Sequence, residues 1–422
     1  MATACPQSPQ NIERNPGLHS NHAILQAIKE KIMEENDRRP FYIVNLDDIV
    51  DKHKQWLAQM PRVKPFYAVK CNNTEPVVKT IAALGAGFDC ASSAEFQQVL
   101  NLGVGTDRII YGHPCKDPQD IKLASKQGVD LMAFDNECEL FKIKRLYPSA
   151  RLVLRIQPQD DEDVYKHGKM YGCALDQCKE LLVKAKEMEL TVVGVSFHIG
   201  GLCTDYMAYH HTIRLCRDIF DDAKSMDYNF SLLDIGGGFP GYAVENNPTF
   251  SDAAKIINMA LDEYFPKEEN VEVIAEPGAY YVQSAFTLAL RVTGKRVLRS
   301  ANSAKVSQQS YFYYLNDGIH GSFFCNLLFL ADKLVRNFHV VKTRSKCRST
   351  RAPCGVQHST LIISWQKISN CPNWTSETGC TYLTWGHTLL CLHPLSMGLL
   401  HRNYFILRLM KSPPDSVLRG DS

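Results

Sequence analysis

The chain has 422 residues, 45% hydrophobic and 22% charged, enough to bury one large core and leave sequence for a second domain. Its net charge is +2, and its N-terminus lacks a basic patch followed by an apolar run, which excludes a secretory signal and points to the cytoplasm. Fifteen cysteines without a Cys-x-x-Cys pair or a Cys/His zinc spacing read as free thiols, which excludes a disulfide scaffold and a metal site.

Phe41 to Val44 is an early strand, followed by eight apolar runs with strand character. These are Lys64 to Lys70, Gly87 to Ser92, Arg108 to Gly112, Asp130 to Asp135, Arg151 to Ile156, Gly194 to Ile199, Leu232 to Gly236 and Val271 to Glu276. Segments of helical period lie between them, such as Pro76 to Leu84 and Gln119 to Gln127. Parallel strands need helical crossovers to return, so eight alternations predict a (β/α)8 TIM barrel over 46–286. Residues 1–45 and 287–330 then form parts of a second, β-rich domain.

Beyond 286 the composition changes. Seventeen of the 47 basic residues but only five of the 45 acidic ones lie there, so the two parts carry about −10 and +12. Seven basic residues between Lys333 and Arg351 lack the aromatic interleaving of a nucleic-acid surface. Thr381 to Leu400 is apolar but interrupted by His387, His393 and Pro394, so it is not read as a membrane span. Residues 331–422 are a divergent tail with weak strand alternation.

In TIM barrels chemistry sits at the carboxyl ends of the strands. Here those ends carry Lys70, Asp89, the Gly112-His113 turn, Asp135, Arg155, His198, Gly236 to Gly238, and Glu276. Lys70 follows mostly apolar residues, so its ammonium is expected at the rim of a low-dielectric cavity, with a lowered pKa and a free amine for an aldehyde cofactor. Gly236, Gly237 and Gly238 offer consecutive backbone amides for a phosphate, or form a plain turn. Glu276 suits the ring nitrogen of a pyridine cofactor, which it would keep protonated. His198 is open to two readings, a ring-stacking imidazole or a core histidine, and Arg155 to orienting neighbours or a structural ion pair. Their joint placement argues for one shared site.

Five motifs carry a resemblance: Pro65-Phe-Tyr-Ala-Val-Lys-Cys-Asn72, Gly87-Phe-Asp-Cys-Ala-Ser92, Gly194-Val-Ser-Phe-His-Ile-Gly200, Leu233-Asp-Ile-Gly-Gly-Gly-Phe-Pro-Gly241 and Ala275-Glu-Pro-Gly278. Over about 38 to 326 the chain resembles the eukaryotic ornithine decarboxylase family, which includes the antizyme inhibitors. The resemblance implies an alanine-racemase-like barrel plus a β-domain, incomplete here, and a homodimer that decarboxylates a small amino acid with pyridoxal 5'-phosphate in putrescine synthesis. It places catalysis on Lys70 and Glu276, and cofactor contacts on Lys70, Asp89, Arg155, His198, Gly201, Gly236, Gly237, Gly238, Glu276, Pro277 and Gly278. It also implies antizyme binding through 119–139, with no nucleic-acid or membrane partner. The alternatives are a catalytically silent, antizyme-inhibitor-like binding protein and a decarboxylase of an apolar amino acid.

Four features depart from the family pattern. Gly201 replaces a phosphate-binding serine and Ala279 a phosphate-binding arginine. At about 1.5–3 kcal/mol for each charge-assisted hydrogen bond, the two losses weaken cofactor binding roughly a hundredfold or more. Phe329 or Leu330 stands where an acid would hold a distal substrate amine, and none of Cys347, Cys354, Cys371, Cys380 or Cys391 precedes Asp-Gly.

Overall fold

The computed structural model describes residues 39–158, 171–200, 205–242, 248–299, 309–318 and 322, part of a helix at 24–31, and the strand segments 337–342, 359–364 and 405–410. Strand β1 (Phe41–Val44) leads into helix α1 (Leu46–Gln59), whose first turn is capped by the Asn45 side chain accepting from the Asp47 amide. Then follow β2 (Val63–Ala68), α2 (Glu75–Ala83), β3 (Gly87–Cys90), α3 (Ser93–Leu100), β4 (Ile109–Tyr111), α4 (Pro118–Gln127), β5 (Leu131–Phe134) and α5 (Glu137–Leu146). The second half runs β6 (Arg151–Arg155), α6 (Cys178–Glu187), β7 (Thr191–Ser196), α7 (Met207–Ser225), β8 (Leu232–Asp234), α8 (Phe250–Tyr264) and β9 (Glu272–Ala275). Strands β2 to β9 pair in parallel in chain order and close through β2 on β9, the eight-stranded TIM barrel expected from the sequence.

Alternation along these strands sorts side chains into two cores. Tyr67, Phe88, Tyr111, Phe134, Leu154, Val195, Leu233 and Val273 face outward into the large core shared with the helices. Phe66, Ile110, Leu131, Val153, Leu232 and Ile274 form a separate cluster in the lumen. The other two strands contribute glycine: a Cβ on Gly87 would lie 2.6 Å from the Phe66 ring, and one on Gly194 1.8 Å from the Leu232 carbonyl. At about 1.5–3 kcal/mol for each large apolar side chain buried, this double burial makes the strand ends a firm platform.

After a short helix, α9 (Ala279–Val282), the long β10 (Phe286–Arg299) leaves the barrel. Its first half pairs antiparallel with β1 on one side and with β13 (Ser359–Ser364) on the other, and its second half with β11 (Gln309–Leu315). β12 (Asn337–Lys342) adds to β13 and β14 (Phe405–Met410) to β11, completing a six-stranded sheet. Phe41 and Ile43 of β1 pack on Ile28 and Ala289, which ties the N-terminal segment to this sheet. Among the described residues no helix is long and apolar enough to cross a membrane; 381–400 lies outside them.

Candidate active site

One step of the pleat beyond the apolar lumen layer, the inward positions of successive strands are Ala68, Asp89, Gly112, Ala133, Arg155, Ser196, Asp234 and Glu276. The period of two that fills the lumen with Ile, Leu and Val thus places a polar ring on top of it. Three side-chain atoms of this ring are buried without a hydrogen-bond partner: Asp89 Oδ1, Ser196 Oγ and Asp234 Oδ2. Buried polar atoms are ordinarily satisfied, so such a concentration marks a place built to receive polar atoms from elsewhere.

Lys70 does not end its strand. β2 stops at Ala68, and a 3-10 turn, Val69–Cys71, carries Lys70 over the ring. Its Nζ donates to Asp89 Oδ2 at 2.7 Å, with the Asp89 side chain fully buried and 54% of the lysine's exposed. Contrary to the lowering expected from its apolar strand, the lysine's pKa is raised. Burial does pull it down, but Asp89 and then Glu276 raise it further, and the net direction is upward. The segment after β9 packs against this turn. The Ala68 amide donates to the Pro277 carbonyl at 3.2 Å, and a Cβ on Gly278 would lie 2.9 Å from Cys71 Cβ.

Glu276 keeps some surface at the mouth, yet burial is the largest influence on its carboxyl; burial, Asp234 and Asp89 together hold its pKa well above the ordinary range. Gly112 leaves the space between the acids open, since a Cβ there would stand 2.3 Å from Asp89 Oδ1 and 3.0 Å from Glu276 Oε1. Arg155, half-buried on the opposite wall, lies with its guanidinium carbon 5.5 Å from the centre of the Tyr171 ring.

The glycine triplet is more committed than its sequence implies. The Gly236 amide donates to Asp234 Oδ1 at 2.9 Å and the Gly237 amide to His198 Nδ1 at 2.9 Å, which puts the proton of a neutral His198 on Nε2. Tyr209 holds the Gly237 carbonyl at 2.7 Å from behind. Gly236 and Gly238 have φ of +65° and +112°, and a Cβ would lie 2.1 Å from the Phe197 carbonyl and 2.6 Å from the Gly200 carbonyl. The loop must therefore be glycine, whatever it binds.

Of the residues singled out from sequence, Lys70, Asp89, Arg155 and Glu276 meet at one mouth, with Pro277 and Gly278 beneath Lys70, and His198 beside Gly236 to Gly238. Asp135 accepts from the Gly172 amide at 2.8 Å, outside this ring. Gly201, Phe329, Leu330 and the tail cysteines lie outside the described residues. Asp234 and Ser196 join the ring although each stands two residues before a more conspicuous motif. Their signal was available in the two-residue spacing from Leu232 and Gly194.

The arrangement defines a class: a TIM barrel whose mouth joins a lysine, an acid hydrogen-bonded to it, a half-buried glutamate of raised pKa and a glycine loop. Residues 46–283 match the family model described as pyridoxal-dependent decarboxylase, pyridoxal binding domain. Antizyme inhibitor 2 of Xenopus laevis is 46% identical over 305 residues, covering 72% of this chain and 67% of that protein. Ornithine decarboxylase of Mus musculus is 44% identical over 316 residues, covering 74% and 68%. Among solved structures, the arginine decarboxylase of Paramecium bursaria Chlorella virus superposes with a TM-score of 0.70 at 30% identity, covering 80% of this chain and 93% of that one. The lysine/ornithine decarboxylase of Vibrio vulnificus, complexed with cadaverine, gives 0.67 at 27%, covering 82% and 93%. The chain belongs to the pyridoxal-dependent decarboxylase family, with the alanine-racemase-like barrel expected of it.

Proposed function

We propose that this chain is a pyridoxal-phosphate-dependent amino-acid decarboxylase, with Lys70 as the covalent anchor of the cofactor and Glu276 as the acid facing its ring nitrogen. The observation that carries the reading is the ring of Asp89, Arg155, Asp234 and Glu276 beneath Lys70, with its unpartnered buried oxygens. The donor set fits the ring end of the cofactor, an acid for the nitrogen and an amine for the aldehyde. At the phosphate end the Gly236 and Gly237 amides are turned to Asp234 and His198, which leaves the Gly238 amide as the loop's candidate donor, and Ala279 supplies no arginine. When bound, pyridoxal phosphate supplies an aldehyde for amine capture and a ring that accepts the electron pair released as carbon dioxide leaves.

The side chains around it do the rest. Asp89, 2.7 Å from Lys70 Nζ, is placed to take the proton that the lysine must lose before it can act as a nucleophile. Burial and the neighbouring acids push the Glu276 carboxyl toward its protonated form, the form that would face a ring nitrogen here. His198 is fixed through Nδ1 at the lip, positioned to cover one ring face. Homodimerisation is part of the proposal, supported by the family resemblance, and a cytoplasmic address agrees with seven cysteines that stand outside any disulfide among the described residues.

A second reading, a binding protein that engages antizyme, is favoured by the engaged Gly236 and Gly237 amides and by the relative named antizyme inhibitor 2. Residues 119–139 span α4, β5 and the start of α5, and are locked by the buried Lys116, whose Nζ reaches Glu139 at 2.9 Å and the Ala133 carbonyl at 2.5 Å. Further along α5, Phe141, Lys142, Lys144 and Arg145 line a basic surface hollow of about 470 Å³ with Met188. The two readings separate in one experiment. Carbon dioxide release from ornithine, lysine and leucine with added pyridoxal phosphate supports the enzyme. No release at saturating cofactor, together with antizyme capture that is lost when 119–139 is exchanged, overturns it in favour of the binding protein.

A further inference from the structure

The polar ring contains one acid more than the proposed chemistry uses. Asp89 is engaged by Lys70, and Glu276 faces the cofactor ring, but Asp234 has no part yet. Its side chain is fully buried on β8, with Oδ1 accepting from the Gly236 amide at 2.9 Å and Oδ2 without a donor. It lies beside Glu276 by construction. Asp234 is in register with Ile274 on β9, and the Glu276 amide donates to the Gly236 carbonyl at 2.6 Å, so the inward side chains at 234 and 276 rise from neighbouring strands into the same lumen. That register and this hydrogen bond set the two carboxyls side by side at the barrel mouth.

Charge balance in the ring then decides the protonation. Three carboxylates, Asp89, Asp234 and Glu276, face two cations, Lys70 and Arg155, with Glu95 a further acid near Asp89 and neutral His198 at the lip. Lys70 is already committed to Asp89 at 2.7 Å. Two ionised carboxylates side by side in a buried site repel one another with little solvent to screen them. A single proton between them removes the repulsion, makes the ring electrically neutral and satisfies the orphaned oxygen.

We propose that Asp234 and Glu276 share one proton, carried on Glu276 and donated to Asp234 Oδ2, so that Asp234 is the positioning residue of the acid that faces the cofactor ring. Its use rests on the placement of the ring nitrogen at Glu276 proposed above; the shared proton does not. Asp234 keeps Glu276 loaded before the cofactor arrives. Toward a neutral ring nitrogen Glu276 would act as the acid: its O–H bond would break with the electron pair kept on the carboxylate, and the proton would form the N–H bond. The total charge is unchanged and no proton is drawn from solvent.

The test uses the full chain without cofactor, at pH 7, by infrared difference spectroscopy in water and heavy water. A protonated-carboxyl stretch is expected in the wild type and is lost in both Glu276→Gln and Asp234→Asn, because an amide donor leaves the remaining acid ionised. Absence of the band in the wild type, or its survival in Asp234→Asn, overturns the proposal. Should Asp234→Asn fail to fold, carboxyl 13C NMR of the unsubstituted protein decides. A glutamate resonance that titrates far above its ordinary range, mirrored by a step in one aspartate resonance, supports the pair; independent titration of every carboxyl in the ordinary range overturns it. Failure to bind pyridoxal phosphate would sink the proposed function while leaving these results in place.

Discussion

Replacing Gly112 with Ala adds one methyl group at the centre of the site. Gly112 is not in the left-handed region, so alanine costs no backbone strain, and the whole effect comes from the new atom. That Cβ would stand 2.3 Å from Asp89 Oδ1, roughly 1 Å inside ordinary contact, and 3.0 Å from Glu276 Oε1. Asp89 cannot yield freely: its side chain is fully buried and its other oxygen holds Lys70 at 2.7 Å. Overpacking of this kind costs about 1–3 kcal/mol of stability. Displacing Asp89 or Glu276 would also spoil the proposed cofactor site, and a loss of about 1.4 kcal/mol there is tenfold in affinity. Gly85→Ala serves as the control. Its φ of +87° imposes a strain of about 1–2 kcal/mol, but nothing lies within 4 Å of the added atom. Urea unfolding and pyridoxal phosphate titration should show both variants destabilised and only Gly112→Ala binding cofactor at least tenfold more weakly. Cofactor affinity within twofold of wild type in Gly112→Ala would refute the crowded-mouth geometry.

Glu276 has a folded pKa above its unfolded value, so its contribution to stability is most favourable below about pH 4.5 and declines as pH rises toward the folded value. Glu276→Gln without cofactor should therefore be more stable than wild type at pH 7 to 8, the difference fading toward pH 4; equal stability at both ends would contradict the buried-acid account. Lys116→Met removes one partner of an ion pair whose side chains are 0% and 1% exposed, and should cost about 3 kcal/mol in urea unfolding. Adding Glu139→Leu should recover much of that loss, and a double variant as unstable as the sum of the singles would contradict it. Ala279→Arg returns a charge-assisted contact worth about 1.5–3 kcal/mol and should tighten pyridoxal phosphate binding roughly ten- to a hundredfold, as read by absorbance titration. An unchanged affinity would mean that this position does not reach the phosphate.

The barrel was legible because its signal repeats. Each of the eight apolar runs became a strand, and the Pro76 to Leu84 and Gln119 to Gln127 segments became helices within a residue of their expected limits. What the runs conceal is where they stop: Lys70 lies on a 3-10 turn past its strand, which swings its amine onto Asp89. A partner on another strand cannot be read from alternation along one, so the upward direction of the lysine's pKa is set by a contact that only the closed barrel creates. The glycine triplet was legible as a tight loop, but its amides are engaged by Asp234 and His198, contacts that only the closed barrel creates. Asp234 and Ser196 stand on the inward period of β8 and β7, so counting in twos from Leu232 and Gly194 would have found them.

The account depends most on Lys70 being the residue that holds pyridoxal phosphate. Purified protein incubated with the cofactor, reduced with borohydride and mapped by mass spectrometry tests it directly. The account predicts one phosphopyridoxyl group, on the peptide containing Lys70 and absent from Lys70→Ala. A group fixed to a different lysine, or none at saturating cofactor, would contradict it.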